Sequence, residues 1–201
     1  LSAQQLQAAR EFLHEEMAAH RVRLFQQDAQ ELQMKKKYDA AFVCWFLEHV
    51  PNPLKVLKKV RQQLKSGAKI YCSEVFNQTL FLEPYSPNYL KYWHEFNDYQ
   101  CTIKGHPFIG AQLGHLLQDA GFVDIQTEVR PFHFDSREPE KRVAFTEYFF
   151  NILLSAEKTL LEKGRVTEKQ IREMKREVET VKKSRSSVFF YAFVRATARV
   201  P

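Results

Sequence analysis

The stretch 38–75, YDAAFVCWFLEHVPNPLKVLKKVRQQLKSGAKIYCSEV, constrains the fold more than any other part of the chain. It opens with a nearly continuous apolar run over 39–46. At that length the run suits a strand buried on both faces, as parallel sheets contain. Asn52 and Pro53 then open a helix, the first as N-cap and the second as a first-turn proline. Leu54, Leu57, Val60 and Leu64 recur at helical spacing and give that helix one apolar stripe. Gly67 stands where a left-handed C-terminal cap is needed, and 68–75 reads as a second strand. Strand, helix and strand in this order predict an α/β unit in a mostly parallel sheet.

The rest of the chain extends the pattern. Ser2 and Gln5 form a capping box. Leu6, Ala9, Leu13 and Met17 follow at helical spacing, so 3–20 reads as an amphipathic helix. Residues 22–27 alternate as a short strand, and 28–37 is a polar loop. Residues 76–107 are aromatic, proline-containing and irregular. A helix over 108–120 is stopped by Gly121, a strand covers 122–129, and 131–139 is a loop. Two helices, 140–163 and 167–183, flank Gly164; the second buries Ile171, Met174, Val178 and Val181. A strand over 188–198 closes the chain. The predicted class is α/β: a three-layer sheet with helices on both faces and a helical and aromatic cap. One domain spans 1–201, with 76–107 and 131–187 as cap or substrate insertions.

Composition narrows the class further. Hydrophobic residues make up 44% and charged residues 27% of the 201, a globular balance. The most apolar stretch, 143–154, is interrupted by Glu147 and Asn151 and is too short for a membrane span. Cys44, Cys72 and Cys101 lie far apart, which argues against a disulfide framework and against a zinc site. A cytoplasmic compartment and no metal are the expectation. The charge of +6 and pI of about 9.2 fit a mildly basic enzyme better than a nucleic-acid binder, because the densest basic region, 158–185, is laced with Glu.

Four segments resemble, in order, the class I (Rossmann-like) S-adenosylmethionine-dependent methyltransferases, most closely the small-molecule branch that includes the ubiquinone-biosynthesis type. LSAQQLQAAREFL (1–13) looks like the helix after the family's second strand. FQQDAQEL (25–32) matches its Asp-Ala-x-Glu-Leu loop after strand three. The run 38–75 resembles strand four, the Leu-Glu-His-Val turn, the next helix and strand five. LGHLLQDAGFVDIQTE (113–128) is similar to the helix leading into strand six.

The resemblance implies S-adenosylmethionine as cofactor, with S-adenosylhomocysteine as product. It puts Asp28 beside the exocyclic amine of adenine, with Gln27 and the Ala29 and Gln30 backbone alongside the ring. It puts Cys44, Trp45 and Phe46 against the adenosyl and methionine portions, and His49 where cofactor and acceptor meet. Candidate general bases on the ligand-facing rim are His49, Glu74, His106 and His133. The family's glycine-rich turn after strand one is absent from the chain, as is the acidic residue that would precede Leu1. Ser66 and Ala68 stand where the family usually has Pro and Gly. In the family's strand order of three, two, one, four, five, seven, six, the first two strands are missing. The sheet is then expected to be split with open edges, and the chain to be a fragment of a longer gene product or to take those strands from elsewhere.

The function expected is methyl transfer by in-line displacement to a small apolar or aromatic acceptor. Phe81, Tyr85, Tyr89, Tyr92, Trp93 and Phe96, with 145–154, form the expected pocket wall. The same surface leaves a homodimer open. Two alternatives stand beside this reading: an RNA methyltransferase of the same fold, and a non-catalytic interaction protein on a methyltransferase scaffold using the helices at 140–183.

Overall fold

The structure is a computed structural model, and it describes residues 3–201. The Ser2 half of the capping box lies outside the described residues. The helical pattern over 3–20 becomes two helices, α1 (Ala3–Phe12) and α2 (His14–Ala18), separated at Leu13. Only Leu6 of α1 is buried. Residues 22–27 do not form the expected strand. A strand persists only where a neighbour satisfies its N–H and C=O groups. In the family order this segment would pair with strand two, and among the described residues no strand lies beside it.

The α/β unit forms as the sequence predicts. β1 (Tyr38–Cys44) and β2 (Leu64–Val75) pair in parallel, with Ala40 opposite Lys69 and Cys44 opposite Ser73. Between them lies α3 (Pro53–Gln62), whose first turn is capped by the Asn52 side chain accepting from the Lys55 N–H at 2.9 Å. Val56 and Leu57 are fully buried under this helix. Two details differ. Gly67 does have a left-handed backbone, φ +76°, but it lies inside β2, where its N–H donates to the Val200 carbonyl; Gln63 ends the helix. And β1 is not buried on both faces: Val43 is inside, whereas Phe42 is 72% exposed.

The region 76–107 is not irregular. It holds a short strand, β3 (Phe81–Glu83), and a four-turn helix, α4 (Pro87–Thr102). Tyr89, Tyr92, Trp93, Phe96 and Gln100 recur at three- and four-residue steps, the period of one helix face. The N-terminus of α4 is capped from a distance. Glu177 accepts from the Asn88 N–H at 3.1 Å and from the Tyr89 N–H at 2.8 Å, an anion placed where helix dipole and free N–H groups favour it. Next comes α5 (Leu113–Asp119), ended by Gly121 at φ +84°. β4 (Val123–Phe134) runs through the first half of the predicted 131–139 loop. It pairs only with the closing strand, and an edge strand tolerates Pro131.

The two predicted C-terminal helices are three. They are α6 (Pro139–Leu154), α7 (Glu157–Glu162) and α8 (Glu168–Lys183). Ile171, Met174, Val178 and Val181 form the buried stripe of α8, and each such side chain is worth roughly 1.5–3 kcal/mol on burial. The closing strand is β5 (Val188–Arg199).

β5 organises the sheet. It pairs antiparallel with β2, β3 and β4, so among the described residues β1–β2 is the only parallel ladder. The expected mostly parallel sheet is therefore mixed. Along β5, Val194, Ala196 and Ala198 face a core shared with α3 and α5. Phe189, Tyr191 and Phe193 face a second core shared with α4, α6 and α8. Helices thus lie on both faces. The second face is covered only toward the start of β5; beyond it, Phe42, Cys44, Tyr71, Arg195 and Thr197 line an open hollow. Among the described residues no helix is long and apolar enough to cross a membrane.

Candidate functional site

The chain turns sharply where β1 ends. Trp45 has φ +44°, rare for a bulky side chain, and its N–H donates to the Ser73 carbonyl at 2.8 Å. The next two N–H groups, of Phe46 and Leu47, donate to the Glu74 carboxylate at 3.2 and 3.1 Å. Glu74 is wholly buried at the end of β2. Burial pushes its carboxyl up to about 7, although the bonds from Leu47 and Phe46 pull the other way. Glu74 therefore ties the turn to β2. It holds the unusual Trp45 backbone in place, a strain of roughly 1–3 kcal/mol.

A 3-10 turn, Leu47–His49, follows. Glu48 is 7% exposed. Its Oε2 accepts from Gln100 Nε2 at 3.1 Å, and its Oε1 lies 3.5 Å from His49 Nε2. Burial raises the Glu48 carboxyl, against the pull of Gln100 and His49. Its carbonyl accepts from the His106 N–H at 2.8 Å. Gly105 permits this contact: a Cβ there would lie 2.6 Å from Gln100 Cγ and 3.0 Å from the Glu48 carbonyl oxygen.

Three hollows meet at this turn. The first, about 720 Å³, is walled by Gln5, Gln26, Gln27, Asp28, Ala29, Phe46, His49 and Val50. The second, about 350 Å³, lies on the open sheet face and takes in Cys44 and Trp45. The third, about 410 Å³, is aromatic; Trp45, Trp93, Phe96, Tyr99, Tyr148 and Phe149 line it together with Glu48, His49 and Gln100. Its walls brace one another: Trp93 stacks on Phe96 at 6.1 Å, and Phe149 lies 4.7 Å from Tyr191. His49 belongs to the first and third hollows, Trp45 to the second and third.

Of the sequence-derived cofactor residues, Gln27, Asp28, Ala29, Phe46 and His49 share the first hollow, and Cys44 and Trp45 border the second. Gln30 lies outside these walls, although its N–H donates to Asp28 Oδ1 at 2.9 Å. Asp28 is exposed and caps the turn Ala29–Glu31, with acceptor capacity left over. Of the candidate bases only His49 lines one of these three hollows. Glu74 is enclosed beneath the turn. His106 is half-buried, its ring edge-on to Phe108, and His133 is exposed against Phe190 on β4. Among the expected wall aromatics, Trp93 and Phe96 line the third hollow; Tyr89 and Tyr92 are core, and Phe81 and Tyr85 are exposed. The sequence reading missed Glu48 and Gln100. Glu48 had a signal, a lone charge inside an apolar run. Gln100 had one too, a polar residue on the Trp93–Phe96 helix face.

This architecture, an α/β sheet with ligand-sized hollows where β1 and β2 end, is that of the class I methyltransferases. Residues 6–127 match the family of the methyltransferase domain, and the chain belongs to that family. No curated protein matches the sequence. Solved structures share the fold at low identity. A protein of Bacillus halodurans named as a methyltransferase is 15% identical, with TM-score 0.59 over 100% of this chain and 80% of its own. Phosphoethanolamine N-methyltransferase 2 of Haemonchus contortus, solved with phosphomonomethylethanolamine and S-adenosylhomocysteine, is 18% identical, with TM-score 0.52 over 96% of this chain and 40% of its own. The cyclase SpnF is 18% identical, with TM-score 0.51 over 100% of this chain and 64% of its own. One of the three is a cyclase, so the fold does not by itself fix the reaction.

Proposed function

We propose that the chain carries the acceptor side and the adenine side of an S-adenosylmethionine-dependent methyl transfer to a small apolar or aromatic molecule. The carrying observation is that His49 walls both the Asp28 hollow and the aromatic hollow, so two ligands in those hollows would meet at the turn after β1. The first hollow suits adenine chemically: the exposed Asp28 carboxylate can accept from an exocyclic amine, and Phe46 offers an apolar face.

A bound sulfonium cofactor supplies an activated methyl group and a good leaving group. The chain's own residues have the task of alignment and water exclusion, which can lower a barrier by roughly 7–11 kcal/mol. Trp45 and the aromatic wall exclude water. His49 is in position to hold or take a proton.

Calorimetric titration of the gene product with S-adenosylhomocysteine tests the reading. Micromolar binding is expected. Asp28→Ala should weaken it roughly ten- to hundredfold, the usual worth of a hydrogen bond to a charged group. A folded protein with no heat of binding would refute the enzyme reading and favour a scaffold whose partners bind the helices at 140–183.

A further inference from the structure

The aromatic hollow has one asymmetry. Of the residues lining it, the only acidic side chain is Glu48, and none is Lys or Arg. Seven tryptophan, phenylalanine and tyrosine rings form much of the remaining wall. Ring faces carry partial negative charge and attract cations. A carboxylate at the end of such a hollow makes it a site for positive charge. Glu48 is also held rigidly. Gln100 fixes one oxygen, the His106 N–H fixes the backbone, and Gly105 leaves the room both need. Gln100 spends its amide N–H on Glu48 while its own Oε1 is buried with no hydrogen-bond partner. An unmatched acceptor costs free energy, so the fold keeps this arrangement against a local penalty.

We infer that the acceptor is a primary or secondary amine on an apolar or aromatic body, with its ammonium held by Glu48 and the aromatic wall. This rests on the methyltransferase reading and specifies its substrate. An ammonium nitrogen has no lone pair to offer. Before methylation one N–H bond breaks, its electron pair stays on nitrogen, and the proton moves to a Glu48 oxygen, leaving a neutral amine and a neutral carboxyl. Glu48 is thus both the anchor and the proton acceptor.

The chain's two tryptophans, Trp45 and Trp93, both line this hollow, so intrinsic fluorescence reports its occupancy. A Trp45→Phe background leaves Trp93, which lines neither other hollow at the turn. Phenethylamine and 2-phenylethanol, near-isosteric and differing in charge, are titrated in parallel. The amine is expected to bind roughly tenfold or more tightly than the alcohol, as a charge-assisted bond implies. Glu48→Gln should erase that preference and leave alcohol binding as it was. Equal binding of the two probes by the unmodified Glu48 protein would overturn the inference, and that comparison stands even if the variant does not fold. A preference surviving in folded Glu48→Gln would overturn it as well. S-adenosylhomocysteine calorimetry on the same preparations separates the two readings. Cofactor binding without amine preference sinks only this inference, whereas amine preference without cofactor binding sinks the methyltransferase reading and with it the proton transfer.

Discussion

Glu74→Gln tests the physical account of the turn after β1. In the folded chain the Glu74 carboxyl titrates near 7 against an ordinary 4.5. At roughly 1.36 kcal/mol per pH unit, that gap corresponds to about 3 kcal/mol. The folded state holds this proton more tightly than the unfolded state. The associated stability is therefore fully present below pH 4.5, declines as pH rises, and is lost once pH passes about 7. Gln cannot ionise, yet it keeps the shape and one oxygen to accept from the Phe46 or Leu47 N–H. Urea unfolding of both proteins, followed by circular dichroism at pH 4.5, 6 and 8, should show the variant gaining on wild type by about 3 kcal/mol across that range. Taking the difference between the two curves cancels groups common to both. Parallel curves, with no relative gain at pH 8, would mean that Glu74 is not titrating against burial and that the turn is held by something else.

Two further substitutions probe the frame around the site. Gly110→Ala would set a Cβ 2.7 Å from the Val75 carbonyl oxygen and 2.8 Å from that of Glu74. These are strand atoms that cannot swing aside, so thermal melting should show a loss of roughly 1–3 kcal/mol; an unchanged melting temperature would refute the close approach. Asn52→Ala removes the cap of α3 and should cost about 1 kcal/mol in urea unfolding, whereas Asn52→Asp, which keeps the acceptor for the Lys55 N–H, should cost much less.

How much was legible depended on whether a segment's neighbours were near in sequence. The 38–75 unit could be read because its strand pattern, cap and helix stripe are all local, and the long closing strand showed its β-branched and aromatic residues. Local signal also existed for α4 in the Tyr89–Tyr92–Trp93–Phe96 spacing, but its cap is Glu177, 88 residues away from Tyr89. A helix start satisfied from another helix leaves no trace beside it, and the segment read as irregular. The opposite error fell on 22–27. Alternation there is real, but a strand is a property of a pair, and among the described residues no partner is present. Gly67 shows a third kind of limit: the sequence called for a positive φ, which is observed, without saying that a strand entry would use it.

The site shows the same division, and it bears on which of its residues carry chemistry. Residue type alone nominated Glu74, an acid at a strand end, and passed over Glu48 beside the chosen His49. In three dimensions the two carboxylates take opposite parts. Glu74 is closed off beneath the turn, and its oxygens are engaged by backbone N–H groups, so ionising it strengthens the bonds that hold Trp45 in its left-handed conformation. Glu48 lines the aromatic hollow, with Gln100 donating to its Oε2 and the His49 ring 3.5 Å from its Oε1, and a carboxylate so placed retains acceptor capacity for a ligand. The enclosed acid sets the geometry of the turn, and the acid that faces the hollow is the one placed to meet a substrate. Substituting Glu74 should therefore move stability with pH and leave the amine-over-alcohol preference intact, while Glu48→Gln should erase that preference.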